Sequence, residues 1–197
     1  MGNLFLRLYD RFMIPMERVG LGKIRRQLLQ KAQGQVLEVG SGTGINFAYY
    51  QHAEKVIAIE PQPMMRAQSV KRAEEAPVPI EVIEARGEEL PFSDNTFDTV
   101  VATLVFCTIP DPVKALHEVR RVCKPDGQIL IFEHVRINHP VLGRLQDGLT
   151  PVWKQLCDGC HLNRNTLQLI QQAGFEVTCI EKYFKQIFLV IEMRNQK

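Results

Sequence analysis

Short apolar runs alternate along this chain with segments in which apolar residues recur every three or four positions. The runs are typical of buried strands, and the periodic segments are typical of amphipathic helices. We predict helices at 46–51, 63–75, 112–123 and 168–173, and strands at 36–39, 56–60, 80–83, 98–103, 128–132, 175–180 and 187–193. This alternation indicates an α/β fold with a doubly wound, mostly parallel sheet of seven strands whose last strand is antiparallel.

Two segments lie outside this alternation and divide the single predicted domain, 1–197, into parts. Residues 1–32 are predicted to form an N-terminal helical cap, with one helix ending near Pro15 and another at 21–31. The other parts are a ligand-binding core at 33–135, a lid insertion at 136–166 with two helices broken at Pro151, and a last helix with strands at 167–197. Cap and lid would cover the edge of the sheet at which such folds bind ligands.

The cap has an apolar face that allows two interpretations. Its residues recur at helical spacing: Leu4, Phe5, Leu8, Phe12 and Met13 in the first helix, and Ile24, Leu28 and Leu29 in the second. Packing on the domain is the first interpretation, since a one-sided apolar stripe is normal for a packed helix. Peripheral contact of residues 1–32 with a membrane, or contact with an apolar substrate, is the second, because Arg7 and Arg11 accompany the stripe.

The stretch from Val36 to Gly44 carries the first chemical signal. A short apolar strand that contains Glu38 runs directly into Gly40-Ser41-Gly42-Thr43-Gly44. Glycines permit the positive φ angles and the close backbone approach that a ligand-binding turn requires. A carboxylate inside a buried strand is rare without a partner. Glu60 ends the next strand, at the spacing expected of an acidic residue that binds ribose hydroxyls.

Composition narrows the class of protein. The chain has 45% hydrophobic and 23% charged residues and a net charge of +2, with dispersed lysines and arginines, so no nucleic acid is expected as a partner. No apolar run is long enough to span a bilayer, and Arg7, Asp10 and Arg11 interrupt the start of the chain, where a signal peptide would be apolar. The five cysteines are expected to be reduced thiols in a cytoplasmic protein that can be peripheral to a membrane.

The sequence Glu38-Val39-Gly40-Ser41-Gly42-Thr43-Gly44 resembles the first motif of the class I S-adenosylmethionine-dependent methyltransferases, and Ile59-Glu60-Pro61 resembles the second. Phe97-Asp98-Thr99-Val100 is similar to the family's F-D-x-V pattern. The resemblance implies a Rossmann-like fold, S-adenosylmethionine as cofactor, and an enzyme that moves a methyl group by in-line transfer. The alternative is a non-catalytic module that binds S-adenosylmethionine and acts through a protein partner.

The same resemblance implies which residues hold the methyl donor: Glu38, Gly40, Ser41, Gly42, Gly44, Glu60, Pro61, Gln62, Gly87, Glu88 and Thr103. In the family segment G-D-A-E-x-L-P-F, the aspartate usually binds the adenine amino group. Arg86 stands at that position here, so the backbone of Gly87 and the side chain of Glu88 would take over the contact.

The acceptor is expected at the end of the fourth strand, where residues 103–108 are mostly apolar. His134 follows the fifth strand and is the candidate base, because histidine titrates near neutral pH. A structural histidine at the strand end is the alternative. His161, in the lid, is the second catalytic candidate and is expected to contact the acceptor. The candidates for acceptor binding are Tyr9, Phe106, Cys107 and Asn163.

The sequence Cys157-Asp158-Gly159-Cys160-His161 matches the C-x-x-C-H signature of covalent haem attachment. Haem of this type is attached outside the cytoplasm, and a second pair of zinc ligands is not evident, so we predict neither haem nor metal at these residues.

Two groups within the family are more similar to the chain than others. It resembles the small methyltransferases of the ubiquinone/menaquinone and phospholipid type. Residues 103–107, 133–135 and 158–164 also resemble animal methyltransferase-like proteins that methylate thiols. The implied acceptor is a small molecule or a lipid: a thiol, an amine, a quinol or a phospholipid headgroup. The protein is expected to be a monomer or a weak dimer.

Overall fold

The structure is a computed structural model that describes the backbone of residues 2–197 and the side chains from residue 9 onward. Its strands are β1 (Gly34–Val39), β2 (Ala53–Ile59), β3 (Ile80–Ile83), β4 (Phe97–Thr103), β5 (Cys123–His134), β6 (Glu176–Tyr183) and β7 (Phe188–Arg194). Within the described residues they form one seven-stranded sheet in the order β3-β2-β1-β4-β5-β7-β6. Neighbours from β3 to β5 pair in parallel, whereas β7 is antiparallel to both β5 and β6. The predicted sheet, with its antiparallel last strand, is confirmed.

Helices cover both faces of this sheet: α1 (Gly2–Met16), α2 (Gly22–Leu29), α3 (Pro63–Glu74), α4 (Pro112–Val122), α5 (Pro140–Leu156) and α6 (Thr166–Gln172). Successive strand residues point to opposite faces. Val36 of β1 therefore lies in the core that α2 covers, and Leu37 lies in the core that α4 covers. The helices bury residues at helical spacing: Ala115, Leu116, Val119 and Val122 on α4 and, as predicted, Ile24, Leu28 and Leu29 on α2.

The break in the cap lies later than predicted. α1 continues through Pro15, and the chain bends instead in a π-helical turn, Glu17–Leu21. The bend is at Gly20, where φ is 146°, a value that glycine adopts without steric cost. The position of the glycine, not that of the proline, therefore decides where the first helix ends.

The apolar face predicted for α1 is only partly packed. Met13 is buried, but Phe12 is 60% exposed. The side chains of Leu4, Phe5 and Leu8 lie outside the described residues. Packing on the domain, the first interpretation, therefore accounts for Met13 and leaves Phe12 at the surface.

The helix predicted at 46–51 is a single 3-10 turn, Phe47–Tyr49. The side chain of Asn46 is held by buried hydrogen bonds to the sheet, and β2 already begins at Ala53. The connection is therefore too short for a regular helix.

The break predicted at Pro151 is absent, because α5 runs through it to Leu156. Proline removes one backbone N–H from a helix. Pro151 is exposed to solvent. In the turn before it, the Thr150 hydroxyl donates to the Gln146 carbonyl at 2.8 Å. The lid insertion thus contains one long helix followed by a loop.

Candidate active site

A large cavity opens where β1, β2, β4 and β5 end at the same edge of the sheet. Its volume is about 780 Å³. The loop after β1 and the end of β2 form one wall, and residues of α1, α5 and the loop after α5 form the other. Open α/β sheets bind ligands at this edge, and the volume is typical of small-molecule sites.

The loop at residues 40–44, here called the donor loop, brings the backbone close to the cavity. Its glycines 40, 42 and 44 have φ angles of 69°, 56° and 82°. A Cβ atom on Gly40 would lie 2.2 Å from Val105 Cγ2, whereas one on Gly42 would meet nothing within 4 Å. Gly42 therefore presents open backbone to the cavity. Gly44 packs against Phe47 behind the loop and does not line the cavity, so its direct contact with a ligand stays a prediction.

Glu60 follows β2 and fixes the donor loop. Its Oε2 accepts the N–H of Gly42 at 2.8 Å, and its Oε1 accepts the N–H of Gln62 at 2.8 Å. Burial raises the pKa of the carboxyl, and the two backbone hydrogen bonds oppose that rise. Each oxygen keeps a further lone pair, and the residue lines the cavity. Glu60 can therefore accept hydrogen bonds from the hydroxyls of a ligand.

Ser41 has a polar atom with no partner in the same loop. Its Oγ is buried and has no hydrogen-bond partner among the described residues. The residue lines the cavity. Because a buried hydroxyl without a partner is costly, the donor loop suits a ligand that brings a polar group to Ser41.

A buried cation, Arg25, reaches the cavity from α2, and sequence reasoning missed it. Its Nη1 donates to Asn46 Oδ1 at 2.7 Å and to Thr103 Oγ1 at 2.8 Å. Its Nη2 pairs with Glu17 at 3.0 Å. Arg25 thus ties the cap to the end of β4. The available signal was its place four residues before Leu29 on the buried helix face, where an arginine needs partners.

Glu38 lies behind the donor loop instead of in the cavity. Its carboxylate accepts hydrogen bonds from Asn46 Nδ2 at 2.8 Å and from the Tyr50 hydroxyl at 2.6 Å. Burial raises the pKa of Glu38 to about 7, against the effect of these bonds. Its direct contact with the donor stays a prediction, and Glu38 is not part of the cavity lining. It instead holds Asn46, which does line the cavity.

Glu133 shapes the turn after β4 at the other end of the cavity. Its Oε1 accepts the N–H groups of Val105 and Phe106, each at 2.6 Å. Burial raises the pKa of Glu133 to about 7. The side chain of Phe106 packs in the core that α4 covers and does not line the cavity, and its contact with the acceptor stays a prediction. Leu104 and Cys107 face the cavity in its place.

Cys107, His134 and Cys160 meet at this end of the cavity. Their sulfur and nitrogen atoms lie within 4.8 Å of one another, and Cys160 Sγ lies 3.3 Å from His134 Nε2. The hydrogen bond with Cys107 lowers the pKa of Cys160 to about 5 against the effect of burial, and His134 adds to the lowering. Burial alone would lower the pKa of His134, but Cys160 and Glu133 raise it above its ordinary value. Both shifts favour a thiolate on Cys160 and an imidazolium on His134.

The loop after α5 brings Cys160 into the cavity but keeps His161 outside its lining. The N–H of His161 donates to the Cys107 carbonyl at 2.8 Å. Its ring Nδ1 lies 3.0 Å from Arg164 Nη2. The contact of His161 with the acceptor stays a prediction, and the residue does not belong to the cavity lining. The residue docks the loop against the turn after β4.

Asn163 also serves the docking of this loop. Its Nδ2 donates to Asp147 Oδ1 at 3.0 Å, and it does not line the cavity. Arg164 donates to the carbonyls of Phe106 and Ile109. The role of Asn163 in binding the acceptor stays a prediction.

Most of the other predicted site residues line the cavity. Those that line it are Tyr9, Gly40, Ser41, Gly42, Glu60, Pro61, Gln62, Gly87, Glu88, Thr103, Cys107 and His134. Arg86 lines it as well, beside Gly87. Burial raises the pKa of Tyr9 to about 12, so its hydroxyl stays protonated. The lining residues that were not predicted include Arg25, Asn46, Gln146, Trp153 and Cys160.

The chain is similar to known methyltransferases along most of its length. Residues 37–131 match the methyltransferase domain family. The chain is 31% identical over 175 residues to thiol S-methyltransferase TMT1A of Homo sapiens, and the match covers 87% of this chain and 72% of that protein. The chain belongs to the S-adenosylmethionine-dependent methyltransferases. This methyltransferase is also 39% identical over 150 residues to thiol S-methyltransferase TMT1B of Rattus norvegicus, which covers 74% of the chain.

The fold of this methyltransferase has solved counterparts. An S-adenosylmethionine-dependent methyltransferase of Thermotoga maritima, described as a possible histamine N-methyltransferase, superposes with a TM-score of 0.71 at 20% identity, and the match covers 100% of both chains. At this identity the likeness concerns the fold alone. The chain's match to the rat thiol S-methyltransferase TMT1B spans 62% of that protein, about three fifths of its length.

The donor loop of this methyltransferase fits the cofactor that its family implies. The open backbone at Gly42 allows close approach, and the unpaired Oγ of Ser41 can bond a polar group. Glu60 has lone pairs for ribose hydroxyls. The three features lie on one wall of the cavity.

Proposed function

We propose that this methyltransferase transfers the methyl group of S-adenosylmethionine to a small apolar thiol. The observation that carries the proposal is the Cys160–His134 pair, which faces the cavity beside the turn after β4. Around the pair the lining is mostly apolar and includes Met13, Leu104, Trp153, Leu162 and Phe188. An apolar acceptor with one ionisable sulfur suits a proton-accepting pair in such surroundings. The similarity to two thiol S-methyltransferases supports the same acceptor class.

The donor loop and the end of β2 hold the donor in this proposal. Glu60 accepts hydrogen bonds from the ribose hydroxyls, and Ser41 and the backbone at Gly42 bind polar groups of the donor. Pro61, Gln62, Gly87 and Glu88 surround the adenosine, and Thr103 closes the site toward the acceptor. Bound S-adenosylmethionine supplies a methyl group activated by a positively charged sulfur. The chain's own contribution is alignment and the exclusion of water.

The acceptor thiol gives up its proton to the Cys160–His134 pair. A thiol that attacks a methyl group becomes strongly acidic as the bond forms. The thiolate of Cys160, with a pKa of about 5, can therefore receive the proton. The imidazolium of His134 holds that thiolate in place. His134 therefore acts together with Cys160 in this proposal, whereas the sequence analysis predicted that His134 alone is the base.

A panel of acceptors with a methyl-labelled donor tests the acceptor class. We expect label to pass to an apolar thiol and not to the alcohol or amine with the same carbon skeleton. Transfer to an amine, a quinol or a phospholipid headgroup, with none to thiols, would show that the proposed class is wrong. Donor binding without transfer to any acceptor would favour a non-catalytic module that acts through a protein partner.

We further propose that the cap and α5 contact an anionic membrane surface beside the mouth of the cavity. α5 exposes an apolar stripe of Val141, Leu142, Leu145, Leu149, Val152, Trp153 and Leu156, and the cap exposes Phe12, Ile14, Met16 and Val19. The exposed cations Arg11, Arg18, Arg144 and Lys154 lie on the same elements. Such surfaces bind the lipid interface without spanning it. No helix within residues 2–197 has the length and hydropathy to cross a membrane.

Fluorescence of Trp153, the only tryptophan of the chain, measures this contact directly. With vesicles that contain an anionic lipid, its emission should shift to shorter wavelength and the protein should sediment with the lipid. Leu149→Glu should weaken binding to the vesicles about tenfold or more, since it removes a leucine side chain that would be buried in the lipid interface. Val113→Glu, at another exposed apolar position on α4, is the matched control. Unchanged emission without co-sedimentation would rule the contact out.

A further inference from the structure

We propose that Cys160 and Cys107 form a second reactive site, which reduces small-molecule disulfides of apolar thiols by thiol–disulfide exchange. The site lies in the acceptor end of the cavity and needs neither the donor loop nor the methyl donor. It rests on the proposed function only for the expectation that its disulfide is apolar.

Cys160 has the surroundings of an attacking thiolate. His134 Nε2 lies 3.3 Å from its sulfur. The groups that face it come from three elements: His134 from β5, Cys107 from the turn after β4, and Trp153 from α5. A thiolate next to a protonated histidine is the form that attacks disulfides, and the low pKa of Cys160 supports that form.

Cys107 is placed to resolve the mixed disulfide. Its sulfur lies within 4.8 Å of Cys160 Sγ, close enough for a modest movement to join them. The hydrogen bond from the His161 N–H to the Cys107 carbonyl, at 2.8 Å, holds the two segments together. Reactive cysteines are commonly placed next to such a resolving cysteine.

The cavity gives a disulfide access to this pair. Both cysteines line the cavity, although each is nearly excluded from bulk solvent. Cys157 is buried nearby and belongs to the same cluster, but its sulfur is not among the atoms that meet within 4.8 Å. Cys107 is therefore the expected partner of Cys160, because its thiol is hydrogen-bonded to Cys160 and belongs to this close group.

The exchange balances in two steps. The Cys160 thiolate attacks one sulfur of RS–SR, an S–S bond forms to Cys160, and RS⁻ leaves and takes the proton of the His134 imidazolium. The neutral imidazole then takes the proton of Cys107, whose thiolate attacks Cys160 Sγ. The second RS⁻ leaves with that proton. Two cysteine thiols are oxidised to one disulfide, and RS–SR is reduced to two RSH.

Mass spectrometry with diethyl disulfide, a small apolar disulfide, tests the proposal without any methyl donor. The protein is reduced first and carries Cys179→Ser, because Cys179 is exposed and would add background reaction. We expect the loss of two hydrogen atoms from the protein, a Cys107–Cys160 cross-link, and the release of two thiols per chain. The variant Cys107→Ser should stop at a mixed disulfide on Cys160 with one thiol released. Cys160→Ser should not react in the cavity.

Cys157→Ser is the matched control and should still form the cross-link. The proposal would be overturned by a cross-link that requires Cys157. It would also be overturned if the folded chain stays fully reduced under conditions in which the denatured chain reacts with the disulfide. A stoichiometric metal ion that blocks the reaction until a chelator is added would overturn it too, because the cluster would then be a metal site. Exchange without methyl transfer to any thiol would refute the proposed acceptor class alone. Methyl transfer without exchange would refute this inference alone.

Discussion

Replacing His134 with alanine should lower the rate of methyl transfer to a neutral thiol by about a hundredfold to ten-thousandfold, the usual contribution of a proton-accepting group. The variant removes the imidazolium that lies 3.3 Å from Cys160 Sγ, so the pair can no longer receive the acceptor proton as before. Donor affinity should stay nearly unchanged, because His134 makes no contact with the donor loop. Turnover with a labelled donor and calorimetry of donor binding measure the two effects separately.

The pH dependence distinguishes this role from a structural one. Cys160 has a pKa lowered to about 5, so its thiolate is present above that pH and is lost as the pH falls through it. Wild-type turnover should therefore hold as the pH is lowered from neutral to about 5 and then fall. In His134→Ala the rate should rise about tenfold per pH unit until the acceptor thiol, with an ordinary pKa of about 8.5, ionises unaided. His117→Ala, at an exposed histidine on α4, is the control. Wild-type turnover in His134→Ala at neutral pH would show that alignment alone suffices.

Replacing Glu60 with alanine should weaken donor binding by roughly 1.5–3 kcal/mol, about tenfold to more than a hundredfold. The substitution removes the expected bonds to the ribose hydroxyls. It also removes the acceptors for the N–H groups of Gly42 and Gln62, each bonded at 2.8 Å. Isothermal titration with S-adenosylmethionine or its demethylated product measures the loss.

A nearby carboxylate provides the control for Glu60. Glu74 is exposed in the last turn of α3, and Glu74→Ala should bind the donor like the wild type. Glu60→Gln keeps the shape of the side chain and should retain part of the affinity, since its amide oxygen can still accept one of the backbone bonds. Equal affinity in wild type and Glu60→Ala, or preferential binding of NAD, would refute the assignment of this wall to the donor.

The sheet and the donor loop could be predicted because their signals are local. Strand β1 runs directly into Gly40 and Gly42, and the spacing to Glu60 follows from one intervening connection. The helix faces of α2 and α4 follow from their apolar periodicity. These features depend on residues that are close in sequence, so a single chain suffices to find them.

The acceptor end could not be predicted because tertiary contacts build it. Cys160 reaches His134 only when the loop after α5 folds back on the sheet, 26 residues along the chain. The literal C-x-x-C-H motif directed attention to His161, whereas the structure pairs Cys160 with a different histidine. Phe106 lies between two cavity-facing residues, but the turn fixed by Glu133 points its side chain into the core. Arg25 was not predicted as a cavity residue because it is a single charged residue on an otherwise apolar helix face.

A single-turnover experiment tests the central claim most directly. The protein is loaded with methyl-labelled S-adenosylmethionine, freed of excess donor, and mixed with an apolar thiol at neutral pH. We predict that the label leaves the donor only when the thiol is present and is recovered as the methyl thioether, with up to one methyl group per chain. Label that remains in the donor, or that is recovered on Cys160 instead of on the thiol, would contradict the account.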